Sequence, residues 1–236
     1  MEYFESYAYG KVCETAFGID LKQMGMMTKT ELDLLLDELK ISETDKILEV
    51  GCGAGQVAAY ISDKTFANVT GIDINEKASL RYHVLDYRNV SELKEKYNKI
   101  MAIDSLYFVS DMDIETFFVK LKETIAALYE LLESGGSLAV FWSELPFFKP
   151  ERKSPECTQL GICLNDLKYS YRTIDFTNNE VTFWKNFKDA LMQYENDFIN
   201  EDSKDLFDSN IGEAEFFIEG AKKERLYRNL YIVDKI

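Results

Sequence analysis

Residues 46–55 read Lys-Ile-Leu-Glu-Val-Gly-Cys-Gly-Ala-Gly and continue into Gln-Val-Ala-Ala-Tyr-Ile-Ser-Asp at 56–63. The first five residues form a short apolar run of strand type and the last eight read as a helix, so Gly51, Gly53 and Gly55 mark a sharp strand-to-helix turn. Glycine lets the backbone turn tightly and approach a ligand closely, with the N–H groups of the turn facing it. A second strand at 67–74 ends on Asp73, 22 residues after Gly51 (73 − 51). In a nucleotide-binding βαβ unit, an acid at that place accepts hydrogen bonds from ribose hydroxyls. The order strand, glycine turn, helix, strand and acid predicts a doubly wound α/β fold on a parallel sheet.

Downstream, strands are expected at 81–87, 99–104 and 137–142, with a long helix at 115–133 between the last two. Phe117, Phe118, Leu121, Ile125, Leu128 and Leu132 share one face of that helix, and Gly135 and Gly136 are read as its stop. Pro146, Pro150 and Pro155 then make a rigid loop at the carboxyl edge of the sheet. A modest helix at 158–168, a strand at 169–177, two helical segments at 179–199 and 203–223 and a strand at 226–233 complete the chain. Upstream, Thr28 and Glu31 form a capping-box pattern ahead of Leu32, Leu35, Leu36 and Leu39 at helical spacing. Residues 1–17 are expected to form another helix and 18–27 a loop.

The size of 236 residues suits one domain, and 46% hydrophobic with 14% aromatic residues gives it a substantial core. A net charge of −15 disfavours polyanionic partners, so neither nucleic acid nor an anionic membrane surface is expected to bind. The one mildly basic stretch is 149–153. Cys13, Cys52, Cys157 and Cys163 form no C-x-x-C pair, and His83 is the only histidine, so no metal site is expected. No stretch approaches the ~20 apolar residues of a membrane span, and residues 1–11 lack the pattern of a secretory signal. A cytoplasmic monomer or homodimer is the expectation.

A dinucleotide fingerprint, G-x-G-x-x-G/A, needs a small residue where Gln56 stands, so pyrophosphate binding and an NAD-dependent oxidoreductase are disfavoured. The run Glu49, Gly51, Gly53, Gly55 instead resembles, without a gap, the E/D-x-G-x-G-x-G signature of class I S-adenosylmethionine-dependent methyltransferases. The resemblance extends over roughly 28–144, through KIMAIDSLYFVSD and LLESGGSLAVFWSE. It implies a seven-stranded Rossmann-like sheet with strands one to six parallel and the last antiparallel beside strand five. It also implies a helical N-terminal lid over 1–45, in which 23–27 closes over the cofactor. The cofactor-binding core is then 46–144 and the substrate side 145–236, with a helical insertion at 178–223 forming a lid over the substrate.

By the same resemblance, Glu49, Gly51, Cys52, Gly53 and Gly55 lie against the methionine part of S-adenosyl-L-methionine. Asp73 holds the ribose, Ile74 covers the adenine, and Asp86 with Tyr87 flanks its amino group. Asp104 and Ser105 end strand four near the sulfonium. One departure stands out: residues 74–85 must supply both a helix and most of strand three, so either that helix shrinks to one turn at 75–79 or residues are missing from this sequence.

The expected activity is methyl transfer to a small molecule, on N or O, with an amine favoured. A non-catalytic S-adenosylmethionine-binding protein is the alternative. Asp104, Glu144 and Tyr107 are the candidate bases, and Tyr107, Trp142, Phe183 and Trp184 the candidate acceptor walls. His83 falls inside strand three, away from the expected methyl donor, and is not expected to act as a base.

Overall fold

The computed structural model describes residues 3–74, 82–109, 114–144 and 153–236. The one-turn helix expected at 75–79, Pro146, Pro150 and most of the basic stretch lie outside the described residues. Seven strands, β1 (Lys46–Val50), β2 (Asn68–Asp73), β3 (Tyr82–Val84), β4 (Tyr97–Ile103), β5 (Leu132–Ser143), β6 (Tyr171–Asp175) and β7 (Arg228–Asp234), form one sheet in the order 3-2-1-4-5-7-6. β7 runs antiparallel to both of its neighbours, β5 and β6, so strands one to six share one direction and the expected topology holds.

Side-chain alternation explains how the sheet is covered on both faces. Leu48 and Val50, Ile100 and Ala102, Leu138, Val140 and Trp142, and Tyr231 and Val233 point to one face. There they meet Leu121, Ile125 and Leu128 of α4 (Ile114–Leu131) and Leu160, Cys163 and Leu164 of α5 (Gln159–Asp166). The intervening Ile47, Val69, Met101, Ala139, Phe141, Leu230 and Ile232 pack on the other face. That face is covered by α2 (Lys29–Glu38) and α3 (Gln56–Thr65).

The capping box starts α2 as read: Thr28 Oγ1 accepts from Glu31 N at 3.4 Å and Glu31 Oε2 from Thr28 N at 2.8 Å. Its Leu32, Leu35 and Leu36 pack on the sheet, so this helix belongs to the core layer rather than to a lid. α1 (Tyr7–Phe17) takes a different partner. Its Tyr9 and Phe17 join Phe183, Trp184 and Phe187 of α6 (Thr177–Gln193), Phe198 of α7 (Glu195–Asn200) and Phe217 of α8 (Lys204–Lys222) in a separate apolar cluster. The Glu201 carboxylate accepts from Tyr7 N at 3.0 Å and Ala8 N at 3.1 Å, satisfying donors that the first turn of α1 leaves open. N-terminal helix and insertion are therefore one helical cap.

The glycine pair 135–136 also differs from its reading as a helix stop. α4 ends at Leu131 and β5 begins at once. The pair sits where the β4–β5 register shifts, with Gly135 N donating to Lys235 O and Lys235 N to Gly136 O, both at 2.8 Å. A main-chain partner on the far side of β5 claims these peptides as strand.

Candidate active site

The strand order reverses between β1 and β4, the place where open α/β sheets bind ligands beyond the carboxyl ends of their strands. A cavity of about 380 Å³ opens there. Gly51 carries φ +72°, and a Cβ on it would lie 2.5 Å from Ser105 Cβ, so only glycine lets the turn after β1 pass beneath the end of β4. Gly51 N and Cys52 N donate to Ile72 O at 2.8 and 3.1 Å, and Ser105 Oγ donates to Val50 O at 2.6 Å. The three strand ends are thereby tied into one floor.

Gly51, Cys52, Gly53, Ala54, Glu49 and Gln56 line the cavity on this side. Gly55 is not on its wall; it caps α3 with φ +83° and sets the direction of the helix. Gly53 N donates to Asp73 Oδ2 at 2.8 Å. Ile74, Asp86 and Tyr87 also line the cavity, joined by Arg88 and Phe108, which the sequence did not single out. Arg88 donates to both Asp86 oxygens through Nε, at 3.0 and 2.8 Å, and holds that carboxyl below its usual range. Burial pushes the Tyr87 hydroxyl up to about 12. Over the top lie Leu21 to Gly25; of the 23–27 segment expected to close over the cofactor, Gln23, Met24 and Gly25 line the cavity, while Met27 packs in the core.

Glu49 is 3% exposed and its Oε2 has no hydrogen-bond partner. Burial, aided by the nearby Asp73 charge, pushes its carboxyl up to about 8. Gln56 Oε1 is likewise buried and unpartnered. Buried polar atoms in native proteins are normally paired, so two orphans on a cavity wall of ligand size mark a place built for a polar guest.

The acceptor-side candidates separate. Asp104 lines the cavity, but its Oδ2 already accepts from Arg228 Nη2 at 2.8 Å and Met26 N at 2.9 Å. The Tyr107 hydroxyl accepts from Ser143 N at 2.9 Å, and its ring packs 4.9 Å from Trp142, which is core. Glu144 is fully buried and accepts from Trp142 Nε1 at 3.1 Å; burial pushes its carboxyl up to about 7. Phe183 and Trp184 are not on the cavity wall. Phe183 stacks on Phe187, and Trp184 lies parallel to Phe217 at 4.3 Å, inside the cap.

Sequence reasoning missed Glu180, on α6. Its Oε1 accepts from Ser143 Oγ at 2.7 Å, and burial pushes its carboxyl up to about 7. It also missed Arg228. The signal for the latter was present: a lone arginine at the start of the apolar run Leu230 to Val233. The model of a family described as a methyltransferase domain matches residues 26–146, just over half the chain, and so spans β1, the glycine turn and the cavity floor. The chain belongs to that family.

Curated relatives of this methyltransferase-domain protein include Methyltransferase GfsG of Streptomyces halstedii, 24% identical over 121 residues (45% of this chain, 40% of the relative). A probable cobalt-precorrin-6B C(15)-methyltransferase of Saccharolobus solfataricus is 30% identical over 129 residues (48% of this chain, 61% of the relative). The chain thus spans less than two thirds of these relatives' lengths. Among solved structures, Haemonchus contortus phosphoethanolamine N-methyltransferase 2 superimposes with TM-score 0.73 at 13% identity, over 99% of this chain and 59% of that one. Cyclopropane synthase MmaA2 of Mycobacterium tuberculosis does so with TM-score 0.67 at 12% identity, over 99% and 97%. At such identities the likeness is one of fold. Among the described residues of the methyltransferase-domain chain no helix is long and apolar enough to cross a membrane, and no acidic, His or Cys group could hold a metal ion.

Proposed function

We propose that this chain binds S-adenosyl-L-methionine in the switch-point cavity and transfers its methyl group to a small-molecule acceptor. The observation that carries this reading is the glycine turn holding Asp73 and the unpartnered Glu49 Oε2 on the wall of one cavity. On this reading Glu49 and segment 21–25 hold the amino-acid end, Asp73 the ribose, and Ile74, Asp86 and Tyr87 the adenine. When bound, the cofactor supplies a methyl group on a sulfonium, a good leaving group. The protein's part is to hold the acceptor in line and keep water out, an effect that supplies ~7–11 kcal/mol in well-oriented reactions.

Acceptor chemistry follows from which bases are free. Asp104 is tied to Arg228 and Met26, Tyr107 to Ser143, and the fully buried Glu144 to Trp142 and Gln159, so none stands ready to take a proton from a hydroxyl. A neutral amine attacks without such help. Charge agrees, because net −15 favours a cationic acceptor and product. A small amine is therefore the reading, in a cytoplasmic monomer or homodimer.

The test is thermal. S-adenosylmethionine and S-adenosylhomocysteine are expected to raise Tm, and NAD to leave it unchanged, because a ligand that binds only the native state stabilises by mass action. Stabilisation by NAD alone overturns the reading. Asp73→Ala is expected to weaken binding by about 1–3 kcal/mol through lost charge-assisted hydrogen bonds. A panel of small amines and matched alcohols with labelled cofactor then reads the acceptor. Transfer to alcohols but not amines defeats the amine assignment, and transfer to nothing returns the non-catalytic alternative.

A pH dependence follows from Glu49. Its carboxyl is about 8 in the free protein, and a cationic ligand beside it favours the ionised form. Binding of S-adenosylmethionine should release a proton at neutral pH, and affinity should rise with pH to about 8 and then level off. Calorimetry in buffers of different ionisation enthalpy reads the proton, and Glu49→Gln should abolish both the release and the slope. A slope that survives in Glu49→Gln assigns the proton elsewhere.

A further inference from the structure

Arg228 is wholly buried at the start of β7, and its guanidinium joins three parts of the molecule. Nη2 donates to Asp104 Oδ2 at 2.8 Å, at the end of β4. Nη1 reaches Glu31 Oε2, in the first turn of α2, at 3.4 Å and Met26 O at 3.5 Å. The face of Phe141 lies 5.0 Å away and fixes the plane of the group. Asp104 in turn accepts from Met26 N at 2.9 Å, so both main-chain groups of Met26 are gripped by the same ion pair. Asp104 itself holds φ +49°, a left-handed conformation unusual for aspartate, which aims its carboxylate back across the end of the sheet.

The residues just before Met26 are the cavity's cover. Leu21 to Gly25 line it, and Tyr9 Oη donates to Gln23 O at 2.9 Å from the helical cap. Gly25 passes so close to Asp104 that a Cβ there would lie 3.1 Å from Asp104 Cβ. The cover is thus pinned at Gln23 by the cap and at Met26 by the Arg228–Asp104 pair. A grip at the boundary of a ligand wall fixes that wall's height above the floor.

We propose that Arg228 is a positioning residue. Through Asp104 and Met26 it sets segment 21–25 against the amino-acid end of the bound cofactor, without touching the cofactor. This rests on the cofactor orientation given under the proposed function. It assigns to the last strand, more than 100 residues beyond the glycine turn, a share in cofactor selectivity that the glycine motif alone does not contain.

The experiment compares two ligands on the full chain by calorimetry: S-adenosylhomocysteine, and 5′-methylthioadenosine, which lacks the amino-acid end. Arg228→Lys keeps the buried charge but cannot bridge Asp104, Glu31 and Met26 O together. Gly25→Ala leaves every charge in place and brings its methyl to 3.1 Å from Asp104 Cβ and 3.2 Å from Asp104 Oδ2. Both variants are expected to lose about tenfold in affinity for S-adenosylhomocysteine and less than about twofold for 5′-methylthioadenosine. Equal losses for both ligands make Arg228 a residue of general stability and overturn the proposal, as does no loss for either. Asp73→Ala, run alongside, should weaken both ligands. If it spares 5′-methylthioadenosine, the orientation fails rather than the role of Arg228.

Discussion

Gly53→Val is expected to abolish S-adenosylhomocysteine binding while leaving a folded protein. Gly53 has φ +52°, a region that costs a residue bearing a Cβ roughly 1–2 kcal/mol, and more for one branched there. Its N–H donates to Asp73 Oδ2, so any relaxation of the backbone also releases the acid proposed to hold the ribose. A Cβ on it points toward the Tyr3 hydroxyl at 3.3 Å, across the cavity that both residues line. The valine therefore fills ligand space and turns away a binding group at once, a combined loss on the order of 3 kcal/mol or more, about a hundredfold in Kd. Because the position sits on a cavity wall and not in the core, the circular dichroism spectrum should match that of the wild type. Calorimetry decides: binding retained within tenfold shows that the ligand lies elsewhere.

The second large effect concerns stability. Arg228→Met should cost about 3–5 kcal/mol, because it strands the carboxylates of Asp104 and Glu31 in a site where both side chains are only 2% exposed. Glu180, also buried, loses the positive charge that opposes the upward push of burial on its carboxyl. For a domain of this size the loss lowers Tm by roughly 10 °C. The sign of the pH dependence follows from linkage. The Glu180 carboxyl, raised by burial to about 7, binds its proton in the folded state first, so the variant should recover stability as pH falls from neutral toward about 4.5. Urea unfolding at pH 8 and pH 5.5 reads both points. A variant as stable as the wild type at pH 8 shows that the pair contributes nothing net to stability.

Much of the core was legible because its signals are local. The apolar run 46–50 is β1 to the residue, the Thr28–Glu31 box starts α2, and alternation of strands with helices predicted the parallel sheet, while the antiparallel last strand came only from the family resemblance. On the cavity floor the glycine turn and Asp73 were legible for the same reason, fixed by two strand ends and one turn close together in the chain, while Glu49, Cys52 and Ile74 were named through the family resemblance.

What the sequence could not determine depends on contacts distant in the chain. Gly135 and Gly136 read as a helix stop, yet Lys235, a hundred residues later, pairs with them as strand. Phe183 and Trp184 carry the same periodic stripe whether they wall a pocket or pack a helix, and α1 and α8 decided for packing. Nothing local marks Glu180 out on its helix; it takes its setting from Ser143, 37 residues away in the chain, and from Trp184. Asp104 read as a free acid near the reacting centre, and only Arg228, 124 residues away, turns it into half of an ion pair that holds the cavity's cover. Periodicity and turn chemistry are written along the chain, whereas the charge state and freedom of a buried side chain are set by whichever distant group the fold places within 3 Å of it.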